Sequence, residues 1–330
     1  MNCGPTLQQL RQAAERIEPV VRRTPLLESP LLNKQLDARI IVKPECLQVT
    51  GSFKIRGAFN KISCLSETQR KRGVVAFSSG NHAQGVAYAA RYFGIDATIV
   101  MPEDAPAIKI ENTRLYGAEV VLYNRYTENR EEIGEELCAS QGRSLIKPYD
   151  DPEIICGQGT VGLEALEDTK RLGVTVDQIL CPCGGGGLIS GIASAASHLS
   201  PSTKVFAVEP KNFDDTVRSL NSGQREIADA SVRSICDAIV TPQPGELTFS
   251  INRTLLSGGY VVSEEDVLKS MGIAFREFKI VAEPGGIVAL AALIAEKGLS
   301  KNSTSLIVVS GGNTDREIFS RALKATALHF

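Results

Sequence analysis

Short runs of apolar, often β-branched residues alternate along this chain with longer segments whose apolar residues recur at helical spacing. Such alternation is typical of an α/β protein, in which helices connect the strands of parallel sheets. The runs that predict strands are Ile40–Lys43, Val74–Phe77, Ala97–Met101, Glu119–Tyr123, Ser144–Ile146, Gln178–Cys181, Lys204–Val208 and Ser305–Val309. The segments that predict helices include Asn81–Phe93, Ala107–Leu115, Thr127–Ser140 and Gly159–Leu172. Parallel-rich open sheets flanked by helices are therefore expected.

The same pattern predicts two domains. Residues 73–146 contain a complete β-α-β-α-β-α-β series, which predicts a small α/β domain. The sequence on both sides, 1–72 and 147–330, then builds the large domain, and the small one is inserted in it. Ligands usually bind in the cleft between two such domains.

Composition excludes several classes of protein. The 330 residues include 36 Lys plus Arg against 38 Asp plus Glu, a net charge of −2, so neither nucleic acid nor a membrane surface is an expected partner. No apolar run reaches the roughly 18 residues that span a bilayer. Residues Met1–Leu10 do not resemble a secretory signal, so the eight cysteines are expected to be free thiols in the cytoplasm.

Lys54 lies in the segment Gly51-Ser52-Phe53-Lys54, immediately before an apolar-periodic run. Small residues before such a run predict a helix start, which places the lysine in the first turn. The helix dipole disfavours a cation there and lowers the pKa of the amine. A neutral amine can form a Schiff base with a carbonyl compound. A solvated surface lysine is the simpler alternative.

Two segments after predicted strands suit the binding of anions. Ser78-Ser79-Gly80-Asn81-His82 opens one helix, and small residues there leave backbone N–H groups available to a carboxylate or phosphate. Gly184-Gly185-Gly186-Gly187 opens another, and it matches neither the dinucleotide fingerprint nor the Walker loop. A single phosphate on a smaller cofactor fits this tetraglycine loop better. Ordinary capped turns are the alternative for both.

Two further segments also follow predicted strands. Ser310, in Ser310-Gly311-Gly312-Asn313, can present its hydroxyl to a ligand in the crevice beyond the strand ends. Glu209 and Asp215 enclose a loop whose carboxylates, with a backbone carbonyl between them, suit a hard cation such as Mg²⁺ or Ca²⁺. A glycine-rich turn and a solvated acidic turn are the respective alternatives.

Taken together, these segments resemble the serine/threonine dehydratase and serine racemase family of pyridoxal-phosphate enzymes. The resemblance covers nearly the whole chain, in family order, and includes Gly157-Gln158-Gly159-Thr160 and Glu283-Pro284. It implies the two-domain tryptophan-synthase-β-like fold, known as fold type II. It also implies pyridoxal 5′-phosphate as cofactor, a small hydroxy amino acid as substrate and a homodimer.

The resemblance also implies residue roles. Lys54 would bind the cofactor covalently, with Phe53 against its ring, and would later remove the Cα proton of the substrate. Asn81 would contact the 3′ oxygen of the cofactor and Ser310 its ring nitrogen. The remaining assignments are the tetraglycine loop Gly184, Gly185, Gly186 and Gly187 for the phosphate, Glu283 for the cofactor, Ser78, Ser79, Asn81 and His82 for the substrate carboxylate, and Glu209, the Phe213 carbonyl and Asp215 for a divalent cation (Mg²⁺, Ca²⁺ or Mn²⁺).

The expected reaction is β-elimination from L-threonine or L-serine, which yields a 2-oxo acid and ammonia. Serine racemase activity is an alternative, for which Ser79 would be the second acid. A 3-hydroxyaspartate dehydratase is another, with Arg130 reaching the second carboxylate. A β-replacement enzyme of the cysteine-synthase kind and a non-catalytic cofactor carrier complete the alternatives. Ile235-Cys236-Asp237-Ala238 departs from the family pattern, which leaves the shape of the substrate pocket open.

Overall fold

A computed structural model describes residues 4–78, 80–229 and 231–325. Short 3₁₀ or π turns supplement the regular helices. Within those ranges the α-helices are α1 (Leu7–Ile17), α2 (Pro30–Leu36), α3 (Lys54–Ser63), α4 (Glu67–Arg72), α5 (Asn81–Phe93), α6 (Ala107–Leu115), α7 (Arg130–Gln141), α8 (Pro152–Arg171), α9 (Gly187–Leu199), α10 (Asp215–Ser222), α11 (Glu246–Leu255), α12 (Glu264–Ile273), α13 (Pro284–Ile294) and α14 (Arg316–Ala325).

The strands form two parallel sheets, which confirms the predicted α/β class. They are β1 (Arg39–Pro44), β2 (Val74–Phe77), β3 (Ala97–Pro102), β4 (Glu119–Tyr123), β5 (Ser144–Leu145), β6 (Gln178–Pro182), β7 (Lys204–Pro210), β8 (Gly258–Val262) and β9 (Thr304–Val309). The five-stranded sheet has the order β1-β9-β6-β7-β8, and the four-stranded sheet the order β4-β3-β2-β5. Each pairing of these strands is parallel, with Arg39 opposite Thr304 and Val74 opposite Ala97.

The five-stranded sheet is buried on both faces. Successive residues of a strand point to opposite faces, and here they enter different clusters: Ile40 and Val42 pack with α12 and α13, and Ile41 packs with α8 and α9. Helix α13 is apolar almost all round, and its residues from Pro284 to Leu293 are buried. This double coverage explains why the strands are continuous apolar runs rather than alternating ones.

The four-stranded sheet shares its hydrophobic core with a helix that precedes it in the chain. Ile55, Ala58 and Phe59 of α3 lie in the same cluster as strand residues such as Val74 and Ile99. Packing therefore crosses residue 73, where the sequence pattern places the first domain boundary. The division into 1–72, 73–146 and 147–330 stays a prediction.

Two predicted helix starts were wrong, and one strand was missed. Helix α8 begins at Pro152 rather than Gly159, because Asp151 caps it and proline suits its first turn. Helix α7 begins at Arg130 rather than Thr127, after an Asn129 cap. Strand β8 was not predicted, since it starts with Gly258-Gly259 and is only partly buried at the edge of its sheet.

Two properties of the described residues bear on the class of protein. The seven cysteines among them are free thiols, and four of the seven are buried. In the same ranges, no helix combines the length and the apolar character needed to cross a bilayer.

Parallel topology brings the predicted site segments to one edge of each sheet. Ser78 follows β2, the tetraglycine loop follows β6, and Ser310 follows β9. All three strands end at the carboxyl edge, where ligands of open α/β sheets bind. Glu209 lies near the end of β7 and Asp215 begins α10, so these two residues also lie at the end of a strand.

Candidate functional site

A cavity opens where the carboxyl ends of β2, β6 and β9 meet. It brings together most of the predicted site residues, which are Phe53, Lys54, Ser78, Asn81, His82, Arg130, Gly184, Gly185, Gly186, Gly187 and Ser310. Its walls also contain residues that were not predicted, namely Phe77, Gly80, Lys109, Pro148, Tyr149, Pro182, Leu188, Asp237, Ala238, Ile239, Val240 and Thr241. Ser79 lies outside the described residues. The cavity is the candidate active site.

The Lys54 amine is the candidate nucleophile of this cavity. Its Nζ donates to the carbonyl oxygen of Pro148 at 2.8 Å and lies 5.2 Å from the ring centroid of Phe53. Burial of the amine lowers the pKa of Lys54 to about 8, and the charge of Glu283 opposes that shift. The direction matches the sequence prediction, but the main cause is burial rather than the helix dipole. A large fraction of the amine is neutral near pH 8.

A buried ion cluster fixes the start of α3 beneath this amine. The Arg56 guanidinium, 0% exposed, donates twice to Glu45 and twice to Glu164 at 2.7–2.9 Å. Lys43 Nζ, also 0% exposed, donates to Glu164 Oε2 at 2.7 Å. The two cations and two carboxylates balance in charge. The cluster joins α3 to α8 and to the end of β1, and so anchors the turn that carries Lys54.

His82 is a neutral hydrogen-bonding residue in the cavity wall. Its Nε2 lies 2.8 Å from the Ile146 carbonyl oxygen, and since a carbonyl only accepts, Nε2 carries the proton. Burial and the nearby charge of Lys54 lower the pKa of His82 to about 3. Nδ1 is buried without a partner among the described residues. His82 can therefore accept a hydrogen bond at Nδ1 but cannot act as a general acid near neutral pH.

Asn81 connects the cavity to a buried carboxylate behind it. Asn81 Nδ2 donates to Glu283 Oε1 at 2.5 Å, and Asn81 Oδ1 accepts from Asn313 Nδ2 at 2.8 Å. Burial raises the pKa of Glu283, and the charge of Lys109, 3.7 Å away, opposes the rise. Glu283 does not line the cavity itself. Of the residues predicted to bind the cofactor, Glu283 is therefore connected to the cavity indirectly, through its hydrogen bond with Asn81.

The tetraglycine loop is confined on its protein side by neighbours that leave no room for side chains. A Cβ atom on Gly185 would overlap the ring of Tyr149, and one on Gly184 would lie 3.0 Å from the Ile239 carbonyl oxygen. Gly186 has a φ of +92°. It also caps α9 without a side-chain hydrogen bond, so the first N–H groups of the helix have no capping side chain in the described structure.

These features fit pyridoxal phosphate. The helix start with free N–H groups can bind the phosphate, and the Lys54 amine can bond to the aldehyde. Ser310, 5% exposed, lines the cavity after β9, and its backbone carbonyl accepts from Phe53 N at 3.1 Å. That bond ties the candidate ring-nitrogen partner to the residue before Lys54. The chemistry of this donor set is what such a cofactor needs.

Arg130 lies in the cavity wall at the first residue of α7. Its guanidinium carbon is 5.3 Å from the ring centroid of Phe77, and its Nε donates to Glu131 at 2.9 Å. An arginine stacked on an aromatic ring and facing a cavity keeps N–H donors for a carboxylate. The structure therefore brings this residue into the site, as the 3-hydroxyaspartate alternative requires.

The residues predicted to bind a cation lie outside the cavity lining. Glu209, at 0% exposed, accepts from the N–H groups of Thr216 and Val217 at 3.1 and 2.8 Å. Asp215 Oδ2 is buried without a partner among the residues described. Burial raises the pKa of Asp215 to about 7, and burial together with the Asp215 charge raises the pKa of Glu209 well above its usual value. Two buried carboxylates, one of which has an unpartnered oxygen, are ligands of the kind that a divalent cation binds. Within the described ranges no three His, Cys, Asp or Glu side chains are grouped so that they could hold a metal ion.

Sequence reasoning missed Lys109 and Tyr149, and it gave Thr241 no role. Lys109 is 5% exposed on an otherwise ordinary helix, and a lysine between two isoleucines gives only a weak signal. Tyr149 lies in an irregular segment before the Asp151 cap, where no periodicity indicates its direction. Thr241 follows the segment that departs from the family pattern.

Comparison with known proteins gives consistent results. The sequence model of the family described as "Pyridoxal-phosphate dependent enzyme" matches residues 17–311. The chain is 43% identical to L-threo-3-hydroxyaspartate ammonia-lyase of Saccharomyces cerevisiae, over 94% of each chain. It is 40% identical to serine racemase of Schizosaccharomyces pombe, over 97% of each. The solved structure of a T.th. threonine deaminase superposes with a TM-score of 0.89 at 46% identity, covering 94% of this chain and 99% of that one.

Proposed function

Because this chain belongs to the family of pyridoxal-phosphate-dependent enzymes, we propose that it is an ammonia-lyase for 3-hydroxy amino acids. The β-hydroxyl leaves as water, and the unsaturated amine that is released hydrolyses to a 2-oxo acid and ammonia. The observation that carries the proposal is the Lys54 amine of lowered pKa, which shares one cavity with the tetraglycine loop. The relatives named as ammonia-lyases support it.

The chain's own residues have distinct parts in this chemistry. Pyridoxal phosphate, when bound, supplies an electron-withdrawing ring that acidifies Cα. Lys54 accepts the Cα proton at Nζ, for which a pKa of about 8 is well matched to neutral solution. His82 presents Nδ1 as an acceptor and keeps its only proton on Nε2, against Ile146. It therefore orients groups in the cavity and does not protonate the leaving hydroxyl. Ser310, which lines the cavity, would offer a neutral hydroxyl to the ring nitrogen of bound pyridoxal phosphate.

The substrate carboxylate is assigned to the segment that opens α5. Ser78, Asn81 and His82 line the cavity at this helix start, where an anion is favoured, and the resemblance assigns Ser79 to the same role. Ser78 already positions this turn, since its Oγ accepts from Gly80 N at 3.1 Å.

Release of 2-oxo acid tests the proposal. The purified protein, with pyridoxal phosphate added, should convert L-serine or L-threonine to the corresponding 2-oxo acid. The variant Lys54→Ala should lose this turnover while keeping its fold by circular dichroism. A wild-type protein that binds the cofactor but releases no 2-oxo acid from any 3-hydroxy amino acid would contradict the assignment and favour a carrier.

Racemisation is a second candidate, because one of the relatives is named serine racemase. It requires a second acid on the other side of Cα, and Ser79 is the residue assigned to that role. Formation of D-serine from L-serine faster than pyruvate would reverse the ranking of the two activities. Ser79→Ala should then abolish racemisation and spare L-serine dehydration.

A β-carboxylate on the substrate is favoured by the position of Arg130 in the cavity. We propose that 3-hydroxyaspartate is a substrate and that Arg130 binds its second carboxylate. Arg130→Met should lower kcat/KM for L-threo-3-hydroxyaspartate by roughly 10- to 100-fold, the effect of one charge-assisted hydrogen bond, with much less change for L-serine. Arg91→Met, on α5 outside the cavity lining, is the control. An equal loss for both substrates would rule out this role.

A divalent cation at Glu209, the Phe213 carbonyl and Asp215 is also proposed. The unpartnered Asp215 oxygen supports it. Addition of Mg²⁺, Ca²⁺ or Mn²⁺ should raise the melting temperature, because a ligand that binds only the folded state stabilises it. The same ions should not stabilise Glu209→Gln in this way. Stabilisation that persists in the variant would place the cation elsewhere.

Homodimerisation and a cytoplasmic location remain proposals as well. The first follows from the resemblance, and the second from the number of free thiols. Light scattering coupled to gel filtration distinguishes a dimer from a monomer.

A further inference from the structure

A chain of hydrogen bonds runs from the backbone before Lys54 to the carboxylate behind the cavity. Asn313 Nδ2 donates to the Thr50 carbonyl oxygen at 2.9 Å and to Asn81 Oδ1 at 2.8 Å. Asn81 Nδ2 in turn donates to Glu283 Oε1 at 2.5 Å. Two asparagine amides thus lie in series between Thr50 and Glu283.

The Thr50 carbonyl sets the direction of this chain. A carbonyl oxygen only accepts, so Asn313 must turn its NH₂ group toward Thr50. The same NH₂ group faces Asn81, which must therefore present its oxygen to Asn313. The NH₂ group of Asn81 is left pointing the other way. This direction holds even if Glu283 is protonated, because it is fixed from the opposite end.

Thr50 holds its carbonyl in place at a conformational cost. It has φ 66° and ψ 9°, a left-handed conformation that β-branched residues seldom adopt. Gly51 follows with φ +73°, and a Cβ atom there would overlap the side chain of Asn313. The hydrogen bond from Gly312 N to the Gly51 carbonyl, at 2.9 Å, joins the same two segments. The strained turn and the Ser310–Asn313 segment are therefore built around each other.

We propose that Asn313 is a positioning residue: oriented by the Thr50 carbonyl, it keeps Asn81 as a hydrogen-bond donor toward the cavity. The Asn81 NH₂ group has two hydrogens, of which Glu283 takes one. The other is available to an oxygen acceptor in the cavity, where the 3′ oxygen of the cofactor is expected. This inference rests on the proposed function, since it assumes that pyridoxal phosphate occupies the cavity.

The variant Asn313→Asp should reverse the orientation of the Asn81 amide with almost no change in the shape of residue 313. An ionised carboxylate would face two acceptors, Thr50 O and Asn81 Oδ1, so the Asn81 amide has to turn over. Its oxygen then faces the cavity. Affinity of the apo-protein for pyridoxal phosphate, followed by absorbance or fluorescence titration, should fall about 10- to 100-fold. The visible absorption maximum of the bound cofactor should move as well.

The rank order of variants separates positioning from simple support. Asn313→Ala removes the bias without adding repulsion, so it should weaken binding less than Asn313→Asp does. In an Asn81→Ala background neither change at residue 313 should weaken binding further, because Asn313 acts only through Asn81. The control is Asn112→Asp, at a half-buried asparagine of α6 that takes no part in this series of hydrogen bonds. It should bind pyridoxal phosphate as tightly as the unaltered protein does.

Several results would overturn the inference. One is a loss of affinity for pyridoxal phosphate in Asn313→Ala as large as that in Asn313→Asp. Another is a further loss when residue 313 is changed in the Asn81→Ala background. The third is an Asn313→Asp variant that binds the cofactor as tightly as the unaltered protein. If Asn313→Asp does not fold, comparison of Asn81→Ala with Asn81→Ala/Asn313→Ala decides the matter. Failure of the unaltered protein to bind pyridoxal phosphate would instead overturn the proposed function, and this inference with it.

Discussion

Lys54 carries the chemistry proposed for this protein because its surroundings disfavour a positive charge on the amine. Pro148 offers it a neutral carbonyl and Phe53 an aromatic face, and Glu283, the carboxylate that acts on its pKa, lies behind Asn81. Those neighbours compensate a full positive charge only in part. The residue is thus adapted to exist as an amine for much of the time.

The lowered pKa of Lys54 predicts how capture of the cofactor depends on pH. Below a pKa of about 8 the neutral amine rises tenfold for each pH unit, and above it the amine is fully available. Labelling of Lys54 by pyridoxal phosphate and borohydride should rise with pH to about 8 and then level off. Peptide mapping from pH 6.5 to 10 measures this. The remaining lysines serve as internal controls, and a Lys54 profile that still rises at pH 10 would contradict the assignment.

Arg56 illustrates the cost of removing one partner from a buried charge cluster. Arg56→Met leaves Glu45 without its guanidinium partner and Glu164 with Lys43 alone, and should lower the free energy of unfolding by about 3–5 kcal/mol. Arg39→Met breaks an exposed pair with Glu28 and should cost less than about 1 kcal/mol. Denaturant titration of both variants makes the comparison. Equal losses would mean that the cluster contributes no more than a surface ion pair.

The tetraglycine loop shows at the level of an element why its residues are glycine. Its path runs against Tyr149 on one side and lines the cavity on the other. Thr248 Oγ1 also donates to the Gly185 carbonyl at 2.7 Å, which ties the loop to α11. The loop is therefore held in place before any phosphate binds.

Gly185→Ala tests this packing. The added methyl group would overlap the Tyr149 ring and should displace the loop, weakening the binding of pyridoxal phosphate at least about tenfold. In a Tyr149→Ala background the same change should have little effect, because the space is then free. Gly223→Ala, with φ +75° and no atom within 4 Å, controls for a glycine outside the loop. Persistence of the full effect without Tyr149 would refute the steric explanation.

The elements that the sequence predicted well are those with a strong local signal. Eight of the nine strands were found because buried parallel strands are apolar on both faces. Helix α8 begins seven residues before its predicted start. The prediction was late because Gly157-Gln158-Gly159 resembles a helix start and Pro152 resembles a helix end. Strand β8 was missed because only its last residue, Val262, is fully buried.

The candidate site divides in the same way. Glycine and serine clusters after strands indicated the loops, and the lysine in a first turn indicated Lys54. Contacts that depend on distant segments gave no signal: Tyr149 on the tetraglycine loop, Lys109 beside Glu283, and the amide of Asn313 between Thr50 and Asn81. Sequence pattern reports local conformation, whereas these pairs are set by how the sheets assemble.

At the scale of the whole molecule, the cavity draws its residues from both sheets. Asn81 and His82 follow a strand of the four-stranded sheet, and the tetraglycine loop and Ser310 follow strands of the five-stranded one. A cofactor that contacts all of these residues links both sheets. Its binding energy is therefore added to the stability of the entire fold.

Cofactor removal should accordingly lower the melting temperature of the whole protein. A ligand present at 100 times its Kd stabilises the folded state by about 2.7 kcal/mol. In a chain of moderate size, each kcal/mol raises the melting temperature by roughly 2–4 °C. Pyridoxal, which lacks the phosphate, should stabilise much less if the tetraglycine loop binds that group. Thermal unfolding of the apo-protein with each compound compares them. Equal stabilisation by both would exclude the loop as the phosphate site.

The place of β9 in the larger sheet has a consequence for biosynthesis. The four-stranded sheet is built from one continuous stretch, residues 74–145, and can assemble while the ribosome is still translating. The other sheet cannot: β9, at residues 304–309, sits between β1 and β6, so a gap persists until the last tenth of the chain emerges. Ser310, which follows β9, therefore joins the cavity only after this strand has entered the sheet.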